Sequence, residues 1–230
     1  MVTNEAASDW RWPLWGLAAG VSGAIGHIFT QPTLTREQRG SGVDVIGELD
    51  RAPYHIGVVA GLFAVFCLLA FASGWRRWAT TTAPASLAAG LVTLALVASA
   101  GAMILGYGIR GTLAIYLPGG INEGSFPPEG LYVLYMFDDL GPFMAWYGVT
   151  MAAAAVVWLS LRERQLPKWI GVASLLLALP PVGMLVVTGL SGFAGIAQPL
   201  WLIVVSIGMV VAFRRSPARV PGPSFAVSGD

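Results

Sequence analysis

Two adjacent carboxylates, Asp138 and Asp139, stand in the first third of an apolar run from Leu131 to Leu161, LYVLYMFDDLGPFMAWYGVTMAAAAVVWLSL. A charge inside hydrocarbon is costly, so an ionisable residue in a segment of this kind is a functional hypothesis by default. On a helical wheel of about 100° per residue, Asp139 shares a stripe with Tyr132, Tyr135, Phe143, Trp146 and Thr150. Asp138 lies to one side, nearer Leu134 and Pro142. The pattern predicts one acid among aromatic rings with a second acid beside it. A carboxyl buried against rings keeps its proton toward neutral pH. Such an acid suits protonation of an alkene or epoxide, because ring faces stabilise the developing cation. In this reading Asp139 is the catalytic acid, Asp138 tunes it, and Tyr132, Tyr135, Phe143 and Trp146 line the pocket.

The other ionisable groups converge on the same half of the chain's spans. His27 falls near the end of the first apolar segment, His55 near the start of the second, and Arg110 at the exit of the third. Glu48 and Asp50 precede the second segment. His27, His55 and Arg110 are therefore expected at the substrate-binding site with the acids. Three alternatives compete. Two imidazoles and a carboxylate are a conceivable metal set, but the histidines belong to no spaced motif, and neither metal nor cofactor is expected. Arg110 paired with Asp138 would be a structural network tying three helices together. In a carrier or channel the carboxylates would relay a proton or cation, with Pro180–Pro181 marking a moving helix.

The elements that must position these groups are membrane spans. The chain of 230 residues is 56% hydrophobic and 11% charged, against about 25% charged in soluble domains. Its mean hydropathy is +0.70. The net charge of +1 points to neither nucleic acid nor a strongly charged partner. Apolar segments of about 20 residues, enough to cross about 30 Å of hydrocarbon, are Pro13–Thr30, Pro53–Ser73, Pro84–Ile109, Leu131–Leu161, Trp169–Thr188 and Phe193–Phe213. The expected fold is all-α: one polytopic six-helix transmembrane bundle over 1–215, followed by a disordered cytoplasmic tail, 216–230.

The acidic flank of the first span (Glu5 and Asp9 beside Arg11) argues against a cleaved leader. The single cysteine, Cys67, excludes an internal disulfide and CxxC chemistry. By the positive-inside rule, Arg11, Arg76, Arg77, Arg162, Arg164, Lys168, Arg214, Arg215 and Arg219 fall on the cytoplasmic side, which puts both termini there. Arg36, Arg39, Arg51 and Arg110 fall outside. Trp10, Trp12, Trp15, Trp75, Trp78, Trp158 and Trp169 read as a belt at the inner boundary. Two outer connections, Gln31–Ala52 and Arg110–Gly130, run to about twenty residues, a length that points to function or disorder. The second, rich in Gly and Pro yet holding Ile115, Tyr116, Leu117 and Phe126, is expected to cover the outer mouth. Glycines 106, 108 and 111 are expected to weaken the third helix as it exits, and Pro180–Pro181 to kink the fifth.

Two blocks carry a resemblance. Ala52–Trp78 (APYHIGVVAGLFAVFCLLAFASGWRRW) and Phe137–Leu179 resemble bacterial six-helix membrane proteins grouped as a domain of unknown function. Asp139–Leu140 and the LPKWIGV at Leu166–Val172 carry most of the likeness. It implies a six-helix fold in the bacterial cytoplasmic membrane and no particular activity. In size, in acids within helices and in aromatic lining, the chain is similar in type to small integral-membrane terpene cyclases. That similarity implies, by role, Asp139 as the proton donor. The resulting expectation is a membrane-bound cyclase or isomerase acting on an apolar or isoprenoid-like molecule, its ligand a lipid or other apolar small molecule. A transporter or a non-catalytic scaffold is the alternative.

Overall fold

The computed structural model describes residues 11–32, 34–190 and 192–215. Trp10, Arg219 and the tail 216–230 lie outside the described residues. Among those described, the chain is mostly helical, without a strand. Helix α1 (Leu14–Gly23) runs on as a π-helical segment, Ala24–Phe29. The rest are α2 (Arg51–Thr82), α3 (Leu87–Tyr116), α4 (Pro128–Met144), α5 (Tyr147–Leu161), α6 (Lys168–Thr188) and α7 (Ala194–Arg215). Helices α2, α3, α6 and α7 and the α4–α5 unit give 5 segments long and apolar enough to cross a membrane, while Leu14–Phe29 is apolar but shorter. Neighbours in sequence are neighbours in space: α1 meets α2, α2 meets α3, α3 meets α4 and α5, α5 meets α6, and α6 meets α7. The ring closes where α7 returns to α1.

Local chemistry sets the ends. The Asp50 carboxylate accepts the Ala52 N–H at 2.9 Å and starts α2, and the Ser86 hydroxyl accepts the Ala89 N–H at 3.1 Å and starts α3. Both satisfy donors that a helix leaves unpaired. Gly189, with φ of 75°, closes α6 in the left-handed conformation open to glycine.

Three expectations change. First, Leu131–Leu161 is two helices, separated by a turn at Ala145–Trp146. Pro142 supplies the reason: it lacks the N–H that would bond the Asp138 carbonyl. The turn after it tightens, with the Trp146 N–H on the Phe143 carbonyl at 3.4 Å. The Ser99 hydroxyl of α3 donates to the Ala145 carbonyl there. Second, α3 does not fade at Ile109; it continues to Tyr116. Two of its glycines are contact points, Gly106 against Pro142 and Gly111 against Val58, while Gly108 faces open space.

Third, the cover over the end that holds Arg110 comes from the other loop. Ile121 to Gly130 are exposed, whereas the first connection folds into 3₁₀ turns at Gln38–Gly40 and Gly42–Glu48. It inserts Val45, Ile46 and Leu49 among Tyr54, Leu113, Leu117 and Leu131. The tryptophans also divide. Trp15, Trp158 and Trp169 are exposed as a belt requires, but Trp12 and Trp75 are buried in the main core. The Trp75 indole N–H donates to the Ala89 carbonyl at 3.0 Å and ties α2 to α3 at the basic end.

Candidate functional site

Arg110, in the last turns of α3, is wholly buried, and so is its partner Asp138 of α4. A guanidinium has five N–H donors in a planar fork, and every one is engaged. Nε–H meets Asp138 Oδ1 at 3.0 Å and Oδ2 at 3.2 Å. Nη2 donates to Asp138 Oδ2 at 2.9 Å and to Gln31 Oε1 at 2.8 Å. Nη1 donates to the Gly26 carbonyl at 2.7 Å and to Thr30 Oγ1 at 3.2 Å. The Tyr54 ring of α2 lies 5.8 Å from Arg110 Cζ, within cation–π range.

The local backbone makes this possible. A π-helical turn shifts the hydrogen-bond register, and the Gly26 carbonyl within that segment accepts from Arg110 instead. On α2, Gly57 leaves room: a Cβ there would stand 2.8 Å from Arg110 Cδ.

Depth follows from helix rise. Arg110 is about 31 Å along α3 from Ala89, at about 1.5 Å per residue, close to one hydrocarbon thickness of about 30 Å. The ion pair thus lies about one hydrocarbon thickness along α3 from the Trp75–Ala89 hydrogen bond.

Asp139 does not occupy an aromatic pocket. It is exposed, and its Oδ1 accepts from Gln31 Nε2 at 3.1 Å. The wheel stripe fails because the break after Met144 rotates Trp146 and Thr150 out of line. Tyr132 and Tyr135 are half-buried against the apolar cap of the first loop, with ring centroids 6.3 Å apart. Phe143 and Trp146 instead surround His27, at 4.9 and 5.4 Å between centroids. His55 is exposed on α2 and joins neither group; it neighbours Tyr54 in sequence, and helical geometry turns it about 100° away.

His27 has a structural explanation. Pro199 cannot donate to the carbonyl four residues earlier, which leaves the Gly195 oxygen open, and His27 Nε2 bonds it at 2.6 Å. A carbonyl only accepts, so Nε2 carries the proton; in the neutral ring, Nδ1 accepts the Tyr107 hydroxyl at 3.1 Å. The same device recurs on α6, where Pro181 frees the Leu177 carbonyl and Gln198 Nε2 donates to it at 3.1 Å. Inside hydrocarbon each freed carbonyl needs a protein donor.

Arg110 and Asp138 are thus brought together, with Asp139 at the edge of their network through Gln31. Sequence reading missed Gln31, Thr30, Tyr54, Tyr107 and the Gly26 and Gly195 carbonyls. One signal was available: Pro199 stands four residues after Gly195, and so predicts a carbonyl in need of a donor. Among the described residues, no three His, Cys, Asp or Glu side chains gather as a metal site.

The fold and this cluster define a class: an all-helical bundle with membrane-length apolar helices and a buried ion pair at one end. No family model, curated protein or solved structure matches the chain.

Proposed function

We propose that the protein is an integral component of a bacterial cytoplasmic membrane, both termini cytoplasmic, that works without turnover as a rigid scaffold or accessory subunit. Its outer end is the face offered to a partner. One observation carries the reading: all five Arg110 donors and both Asp138 oxygens are already engaged within the chain. Arg110 so saturated has no donor left for a substrate, and the pair is suited to locking α1, α3 and α4 together. The orientation is supported by charge: Arg11, Arg76, Arg77, Arg162, Arg164, Lys168 and Arg214 flank helix ends on one side.

The test separates structure from chemistry. Removing one partner of a buried pair costs about 3–5 kcal/mol, whereas replacing both with apolar residues is often neutral. Asp138→Asn is therefore expected to lower the unfolding temperature in detergent, and Arg110→Leu with Asp138→Leu to restore most of it. Vesicles reconstituted with the wild-type chain are expected to pass protons no faster than empty ones. Proton flux that disappears in Asp138→Asn would overturn the scaffold reading.

A second reading rests on Asp139. Its carboxylate is exposed yet linked through Gln31 to the buried pair, as handling a cation, a proton or an isoprenoid-like apolar ligand would require. Asp139→Asn would then abolish uptake or turnover while leaving the melting temperature unchanged. Unchanged uptake and turnover in that variant remove this second reading.

A further inference from the structure

The basic end carries the sequence Trp75-Arg76-Arg77-Trp78. Helix α2 continues through it to Thr82, so consecutive arginines leave the helix about 100° apart. They border two different clefts. On one side Arg77 meets Arg11 in a cleft of 360 Å³ lined also by Trp12, Trp15, Ser73 and Gly74. Trp15 there packs edge-on against Phe66 at 5.8 Å, and both rings are about half exposed. On the other side Arg76 borders a groove of 580 Å³ between α2 and α3. Thr80 and Ser86 stand at its mouth, and Gly90, Leu94 and Val97 line its length.

The groove has the dimensions of one leaflet. From Ser86 to Val97 the helix rises about 16 Å, half of a hydrocarbon core of about 30 Å. A Cβ at Gly90 would meet nothing within 4 Å, so its floor is open. Its charged and hydroxyl-bearing part lies at the basic end and its apolar part runs inward, the polarity of a phospholipid. Among the described residues, no carboxylate lines the α2–α3 groove at Arg76. Guanidinium groups match phosphate oxygens in charge and in fork geometry, and basic pockets between helices at this level favour anionic headgroups.

We propose that the Trp75–Trp78 segment is a binding site for anionic phospholipid, one molecule on each side of α2. On one side the phosphate lies at Arg76, with an acyl chain in the α2–α3 groove. On the other, Arg11 and Arg77 hold the phosphate and the Trp15–Phe66 rings support the chain. The site stands apart from the outer ion pair and from whatever that end does.

Native mass spectrometry of the full chain in a non-ionic detergent tests it, with phosphatidylglycerol and phosphatidylcholine offered separately. Phosphatidylglycerol is expected to stay bound through detergent removal and to raise the melting temperature, and phosphatidylcholine to do neither. Each of Arg76→Gln and Arg77→Gln is expected to reduce phosphatidylglycerol retention about five-fold, with larger loss in the double variant. Lys168→Gln, at the same end and outside both clefts, should retain it fully. These arginines are exposed, so the single variants fold even if the double does not. Equal retention of the two lipids overturns the proposal. So does equal loss in Lys168→Gln, which would mean diffuse charge attraction, or displacement of the lipid by millimolar inorganic phosphate, which would mean a site for the free anion.

Discussion

At the scale of single residues, three polar side chains inside this bundle answer backbone needs. His27 and Gln198 each donate to a carbonyl that a proline has released, and Arg110 takes the Gly26 carbonyl of the π-helical turn. His27→Ala strands the Gly195 carbonyl and is expected to cost about 1–3 kcal/mol, measured by unfolding in micelles. Pro199→Ala returns a backbone donor to that carbonyl, so the same His27→Ala change should cost less in the Pro199→Ala background. Loss of the Phe143 and Trp146 ring contacts is common to both arms, so the difference isolates the hydrogen bond. Equal cost in the two backgrounds would mean the proline and the histidine are unrelated.

At the scale of elements, two segments depart from their sequence patterns for identifiable reasons. The run Leu131–Leu161 has the composition of one helix, but Pro142 divides it and neighbouring helices hold the two pieces in place. The connection between α1 and α2 has no helical period, yet Val45, Ile46 and Leu49 plug the end of the bundle. The spacing of those apolar residues was visible; what they covered was not, because it depends on where α2, α3 and α4 end relative to one another. Ile46→Ala should therefore cost about 2 kcal/mol or more and speed amide exchange across residues 42–48. If stability and exchange are both unchanged, the segment does not seal that end of the bundle. Gly61 shows the same dependence on partners. A Cβ there would lie 2.2 Å from the Tyr107 ring, so its smallness serves a neighbour 46 positions away in the chain, by its number in sequence.

At the scale of the whole molecule, sequential neighbours close into a ring, and the unusual polar groups gather at the end opposite the basic one. The orientation can be checked in cells after Cys67→Ala. Asn122→Cys should react with an impermeant maleimide in intact cells, and Gln165→Cys only after permeabilisation. The reverse pattern would invert the molecule.

Composition and apolar run length were enough to determine an all-helical chain with membrane-length segments, because burial in hydrocarbon demands long uncharged helices whatever their arrangement. Those same runs also placed the ionisable residues at one end. Which of the two acids is buried, which ring faces which side chain and which loop covers the end were decided only in three dimensions. Asp138 and Asp139 are chemically identical neighbours; one faces Arg110 and the other faces out because the packing of α4 on α3, Pro142 against Gly106, sets the rotation of α4. No local property of the chain encodes that rotation.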